Sequence, residues 1–238
     1  LDMTLAAQTR RADGILFDKD GTLFDFHATW SVWAHGVISD LGQNDTALMQ
    51  RIADAADYDL AQRRFRPTSP IIACTNREAA ECLARALPLR AVEEIETYLT
   101  RTAALASLAP AVPLAPYLEG LALAGLRLGV MTNDTEQGAR AHLDAAGVAE
   151  HFHFIAGFDS GHGAKPSPAP LLAFASAMAL DPARIVMVGD SAHDLIAGRA
   201  AGMQTIGVLT GPAQEADLAP LADAVLPDIG HIPGWLGA

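Results

Sequence analysis

Residues 14–22 read Gly-Ile-Leu-Phe-Asp-Lys-Asp-Gly-Thr. The run Gly14–Asp18 is continuously apolar until it ends in a carboxylate, the pattern of a strand covered on both faces rather than the alternation of a half-exposed one. Open α/β sheets bind ligands beyond the carboxyl ends of their strands, so Asp18 and Asp20 stand where a site belongs. Two carboxylates at this spacing can converge on one point, one as nucleophile and one as proton donor. The plain alternative is an Asp-Gly turn with solvated acids. A calcium loop starting at Asp18 fails, because Leu23 and Thr29 occupy the positions that need Gly and Glu.

Outward from this stretch, similar apolar runs recur at Leu128–Thr132, Phe152–Phe158, Ile185–Gly189, Thr205–Leu209 and Ala224–Leu226. Helical periods lie between them. Leu114–Ala124 stops at Gly125. Glu136–Ala146 has Asp134 as candidate N-cap and stops at Gly147. A third helix follows Ser167, with Pro168 at its first position, and a fourth follows Ser191 and stops at Gly202. Strand and helix alternating over Val112–Ile229 predict an α/β fold with a doubly wound, Rossmann-like parallel sheet. The rhythm breaks from about His27 to Leu108. There Trp30, Trp33, Val37 and Leu41 fall at helical spacing, and Leu83, Leu87 and Ile95 continue the apolar pattern. This predicts a core formed by residues 1–24 and 109–238, with a mainly helical cap domain inserted at 25–108. Ala109–Pro116, rich in proline, is the expected return linker.

Composition narrows the function classes. Of 238 residues, 50% are hydrophobic and 18% charged, which excludes a disordered chain. The 16 Lys and Arg against 28 Asp and Glu leave a formal charge of −12, the wrong sign for nucleic acid or anionic lipid. Neither a signal-peptide core nor an apolar run of membrane-spanning length is found, so a cytoplasmic protein is expected. Cys74 and Cys82 fall about two turns apart in an expected helix, roughly 12 Å, too far for a disulfide. Both read as reduced packing residues.

Three further groups carry chemistry. In Gly189-Asp190-Ser191-Ala192-His193-Asp194, at the end of an apolar run, Asp190 and Asp194 can face one side of the helix they open. Thr132-Asn133-Asp134 ends another run, where a hydroxyl and free backbone N–H groups at a helix start make a phosphate cradle. Lys165 precedes a helix in Gly-Ala-Lys-Pro-Ser; Ala164 and Pro166 exclude a Walker A loop there. Each alone has a bland reading as a cap, a turn or a solvated side chain. In order, at successive strand ends, the four groups (Asp18–Thr22, Thr132, Lys165-Pro166, Gly189–Asp194) resemble the haloacid dehalogenase superfamily of phosphohydrolases. The insertion is similar to the helical caps of phosphoglycolate phosphatase-like members.

The resemblance implies a phosphatase for a small phosphorylated metabolite. Asp18 is the nucleophile that becomes an aspartyl-phosphate, and Asp20 the acid and base. Thr132 and the Asn133 amide bind phosphoryl oxygens, while Lys165 neutralises charge. Mg²⁺ is held by the Asp18 carboxylate, the Asp20 carbonyl and Asp190, with Asp194 as a further ligand or a partner of the ligands. Because Asp20, Asp190 and Asp194 are all present, dehalogenation is disfavoured. A β-phosphoglucomutase-like mutase shares every core residue and is the alternative; a non-catalytic binding protein of the same fold is a third. The cap is expected to close over the site, with Gly21 and Leu23–Phe26 as candidate hinge. Arg63, Arg64 and Arg66 are candidates for a second anionic group on the substrate, or else a solvated basic stretch. His27, Thr29 and Trp30 are candidates to line the entrance, Trp30 and Trp33 equally for the cap core. The oligomeric state is left open.

Overall fold

The computed structural model describes residues 11–66, 68–72 and 75–237. These form two compact units, one of which is the insertion Phe26–Ala109. The chain enters the other unit with strand β1 (Gly14–Phe17). Inside the insertion, a π-helical turn at His27–Ser31 leads into α1 (Val32–Gly42) and α2 (Thr46–Ala55). Two short antiparallel strands follow, β2 (Tyr58–Asp59) and β3 (Arg64–Phe65), and then α3 (Asn76–Ala84) and α4 (Val92–Ala103). Back in the first unit come α5 (Leu114–Leu123), β4 (Arg127–Met131), α6 (Glu136–Ala145), β5 (Phe154–Ala156) and α7 (Ala169–Met178). The chain ends with β6 (Ile185–Gly189), α8 (Ala192–Ala200), β7 (Gln204–Val208), α9 (Glu215–Leu218), β8 (Ala224–Leu226) and α10 (Ile232–Trp235).

The six long-range strands make one sheet in the order β5-β4-β1-β6-β7-β8, and every neighbouring pair is parallel. The continuous apolar runs have their cause here: β1, β6 and most of β4 are buried along their whole length. Strand β1 lies between β4 and β6, where the winding of the sheet reverses, so the ends of these three strands flank the crevice that doubly wound sheets use for ligands. On one face Phe174 of α7 packs against Leu16, Met131, Ile185 and Met187.

The inserted unit has its own core. Val37, Ile38, Leu41, Ile52, Leu83, Leu87, Ile95 and Leu99 meet around Tyr58, whose hydroxyl donates to the Ser31 carbonyl at 2.8 Å. Trp30 and Trp33 are only partly buried, packed against that core and edge to face with each other. Cys82 is buried with its sulfur 2.8 Å from the Ala55 carbonyl, while Cys74 lies outside the described residues. Among the described residues no helix is long and apolar enough to cross a membrane.

Four local expectations need correction. The N-cap of α6 is Thr135, whose hydroxyl accepts from Gly138 N, because Asp134 is turned toward other partners. Helix α7 starts at Ala169, so Pro168 takes the cap position rather than the first helical one. Strand β5 is shorter than Phe152–Phe158: a 3₁₀ turn at Ala149–His151 delays it, and Gly157 ends it by donating to Ser160 Oγ. Leu23 and Phe24 make a poor hinge, being fully buried and tied to Lys19 O, Gly21 and Ala111 by backbone bonds.

Phe174→Ala empties the centre of the α7 contact and is expected to cost about 3–5 kcal/mol in a urea titration followed by circular dichroism. A loss below about 1 kcal/mol would mean that the sheet face collapses around the gap.

Candidate active site

Strand register brings the sequence candidates together. The Asp18 amide donates to Val188 O at 2.8 Å and the Thr132 amide to Ala156 O at 3.1 Å, so β1 and β4 stay bonded to their neighbours up to the residues that leave the sheet. Lys165, far along the chain, reaches back to these ends. Its Nζ lies 2.5 Å from Asp18 Oδ1 and 2.6 Å from Asp194 Oδ1, and it donates to Met131 O at 2.8 Å. All three side chains are buried.

The third carboxylate is Asp190. Gly21 and Gly211 pack directly on it: a Cβ on Gly211 would stand 1.7 Å from Asp190 Oδ2, and one on Gly21, whose φ is +81°, 2.3 Å from the same atom. Thr210 Oγ1 donates to Gly21 O at 2.6 Å and pins the two loops against each other. Asp194 also closes the start of α8, since the Ser191 amide and hydroxyl both donate to its Oδ2, at 3.1 and 2.7 Å. Each of Asp18, Asp190 and Asp194 offers an oxygen within 4.8 Å of the others.

Such a cluster resists ionisation. Burial, the neighbouring Asp194 and Asp20 push the Asp18 carboxyl up, Lys165 pulls it down, and the balance stands at about 7. Asp190 is raised for the same reasons, burial first and then the charges of Asp18 and Asp194. Burial alone would make the Lys165 ammonium a stronger acid, but the two carboxylates beside it reverse that and raise it. When ionised, three buried carboxylates outnumber the one ammonium beside them, and their hard oxygen donors suit a hard cation.

The side chains of the turn after β4 have partners within the protein. Thr132 Oγ1 accepts from the Asp134 amide at 3.1 Å. Asn133 grips the backbone of Lys165 on both sides, accepting from its N–H and donating to its carbonyl, each at 2.9 Å. The reading of Asn133 as an amide donor alone missed this side-chain clamp. Also missed was Lys19, fully buried, with its Nζ 2.7 Å from Asp20 Oδ2, 3.2 Å from Asp134 Oδ2 and 2.9 Å from His142 Nδ1. A lysine between two acids, directly after a buried strand, was the available signal.

The remaining candidates belong to the inserted unit. Arg63, with φ +52°, and Arg64 on β3 are exposed. Arg66 is engaged within the unit, its guanidinium 3.1 Å from Asp57 and 3.5 Å from Asp59. His27 Nδ1 lies 3.2 Å from Ser31 Oγ in the π-helical turn. Thr29 is buried and accepts from the Ala109 amide at 2.9 Å.

A family model described as haloacid dehalogenase-like hydrolase matches residues 12–202. The phosphoglycolate phosphatase of Neisseria meningitidis serogroup A is 43% identical over 126 residues, covering 50% of this chain and 53% of the relative. The chain therefore spans about half the length of that relative. The phosphoglycolate phosphatase of Escherichia coli K12 is 30% identical over 213 residues, 83% of this chain and 81% of the relative. A crystal structure of a hydrolase of this family from Deinococcus radiodurans, with bound phosphate and sodium, superposes with a TM-score of 0.69 at 22% identity, covering 95% of this chain and 96% of that one.

Unfolding returns Asp18 to an ordinary value near 3.8 from about 7 in the fold. Between about pH 4 and pH 7 the native chain keeps a proton that the unfolded chain has released, so stability without added cation falls as pH rises; Asp190 adds with the same sign. Thermal melts in EDTA should show this decline, and Asp18→Asn should flatten it and melt higher than the parent at the alkaline end. Separately, Asn133→Ala frees the Lys165 backbone and is expected to cost about 1–2 kcal/mol by denaturant titration.

Proposed function

The chain belongs to the haloacid dehalogenase-like hydrolase family, and on that footing we propose that it is a cytoplasmic, Mg²⁺-dependent phosphatase of small phosphate monoesters, phosphoglycolate phosphatase-like in its substrate class. The observation that carries this reading is the buried Asp18 carboxylate held against Lys165, with Asp190 and Asp194 alongside. Relatives named phosphoglycolate phosphatase support the substrate class.

In the first step an Asp18 oxygen attacks phosphorus as the ester P–O bond breaks. The bonding pair stays with the departing oxygen, which takes the proton of the Asp20 carboxyl. In the second step Asp20, now a carboxylate, takes a proton from water. The water oxygen attacks the phosphorus of the aspartyl-phosphate, returning Asp18 and releasing inorganic phosphate. Thr132 and the Asn133 amide hold phosphoryl oxygens. Lys165, fixed by the Asn133 clamp, lies against Asp18 and offsets charge on the nucleophile and the transferring group.

Asp18, Asp190 and the Asp20 carbonyl would hold the Mg²⁺, with Asp194 completing the acidic set. When bound, the ion supplies positive charge that screens the carboxylates from the phosphate and polarises the phosphoryl oxygens. The inserted unit is read as a cap that selects the leaving group. Arg63 and Arg64, exposed on it, are the candidates for a substrate carboxylate, since Arg66 is already paired with Asp57 and Asp59.

A panel of phosphate esters, assayed with Mg²⁺ and after chelation, tests the reading. Release of inorganic phosphate that needs the cation, and falls at least about 10³-fold in Asp18→Asn while the circular dichroism spectrum is kept, is the expected result. Undiminished turnover in Asp18→Asn would rule out the covalent route. Isomerisation of a sugar phosphate without net phosphate release would assign the chain to the mutases instead.

A further inference from the structure

We infer that Lys19 is a positioning residue for Asp20, fixing its carboxyl from behind by anchoring it to the turn after β4 and to helix α6. The inference rests on the phosphatase reading, in which Asp20 is the acid and base. A fully buried lysine is rare in a protein core. Replacing such an ion network by well-packed apolar groups is often neutral or stabilising. Stability alone therefore gives little reason for an ammonium at this position.

The geometry supplies one. An ammonium has three donors, and among the described residues this one faces Asp20 Oδ2 at 2.7 Å, Asp134 Oδ2 at 3.2 Å and His142 Nδ1 at 2.9 Å. Two of the three are themselves fixed. Asp134 donates its amide to Thr132 Oγ1 at 3.1 Å and accepts from the Thr135 amide at 2.7 Å, so it belongs to the turn that carries the phosphate-binding candidates. His142 is buried on α6, where burial first and the Lys19 charge second lower its basicity; because an ammonium can only donate, Nδ1 facing it accepts and a neutral ring carries its proton on Nε2.

Asp20 by contrast sits on a tight turn with its side chain 24% exposed. Without a tether its carboxyl would sample several rotamers, and proton transfer to a departing oxygen tolerates little misplacement. Through Lys19, the group that meets the leaving oxygen and the turn that meets the phosphate share one rigid support. Asp18, one residue before, faces the separate ammonium of Lys165. The two lysines thus divide the two acids between them.

Leaving-group dependence isolates this role, because a departing 4-nitrophenolate needs no proton and a departing 4-methoxyphenolate does. First-turnover release of phenol would be followed by rapid quench for 4-nitrophenyl, phenyl and 4-methoxyphenyl phosphate, at one pH and with Mg²⁺ present. Lys19→Met should leave 4-nitrophenol release within about threefold of the parent and slow 4-methoxyphenol release by roughly 10- to 100-fold. In an Asp20→Asn background Lys19→Met should change neither. Equal loss across the series, no loss at all, or a full Lys19→Met effect on top of Asp20→Asn overturns the assignment. If Lys19→Met does not fold, His142→Leu removes one anchor and keeps the ammonium; it should give the same graded pattern with a smaller factor, and a uniform change would overturn the assignment equally. A parent protein that releases no phenol from any ester overturns the phosphatase reading and this inference with it; a parent that turns over with a flat response to Lys19→Met overturns this inference alone.

Discussion

One ammonium group, Lys165 Nζ, makes it possible to keep three carboxylates dry at the end of a parallel sheet. Taking ions out of water costs several kcal/mol each in real proteins, and only close, well-directed partners offset it. Lys165 meets that demand with Asp18 and Asp194 at 2.5 and 2.6 Å and the Met131 carbonyl at 2.8 Å. Much else follows from it. Asn133 spends its side chain on the Lys165 backbone, the glycines at 21 and 211 leave room for Asp190, and Ser191 binds the far oxygen of Asp194. The compensation is incomplete, as the raised Asp18 and Asp190 attest, and a cation there would favour their ionised forms.

The parts of this fold that could be read from the chain were those whose physics is local. Strands β1, β4 and β6 are covered on both faces, so their apolar runs are unbroken, and β6 and β8 fall where the runs place them. Helix α6 stops where Gly147 takes a φ of +68°. Acids at strand ends were legible because the sheet type dictates where ligands bind. What escaped depends on partners remote in sequence. Lys19 looks like any lysine until His142, on a helix 123 residues away, closes on it. Asn133 reads as a backbone donor until Lys165 is brought alongside, and Gly211 has no meaning before Asp190 is packed against it. Asp134 satisfies every rule for a helix cap and still yields that place to Thr135, because its carboxylate serves the Lys19 ammonium and the Thr135 amide.

The inserted unit illustrates the same divide. Helical spacing located Val37, Leu41, Leu83, Leu87 and Ile95, all of which are buried in its core. The small β2–β3 pair was invisible, since two residues per strand leave no period to detect. Its pairing nevertheless sets the fate of the basic cluster: Phe65 turns inward against Tyr58 and Phe26, while Arg66 meets Asp57 and Asp59. An exposed pair of this kind contributes little to stability, but it does occupy the guanidinium.

The turn after β4 assigns three successive residues to three different tasks. Thr132 folds back on the turn itself, Asn133 holds the Lys165 backbone, and Asp134 reaches Lys19. This makes the segment intolerant of any change in length. One residue inserted or deleted there would rotate each side chain out of its direction and release both buried lysines together, whereas an exposed loop at the edge of the sheet could lengthen with little effect. Changes of length in this protein should therefore be confined to exposed loops outside Thr132–Asp134.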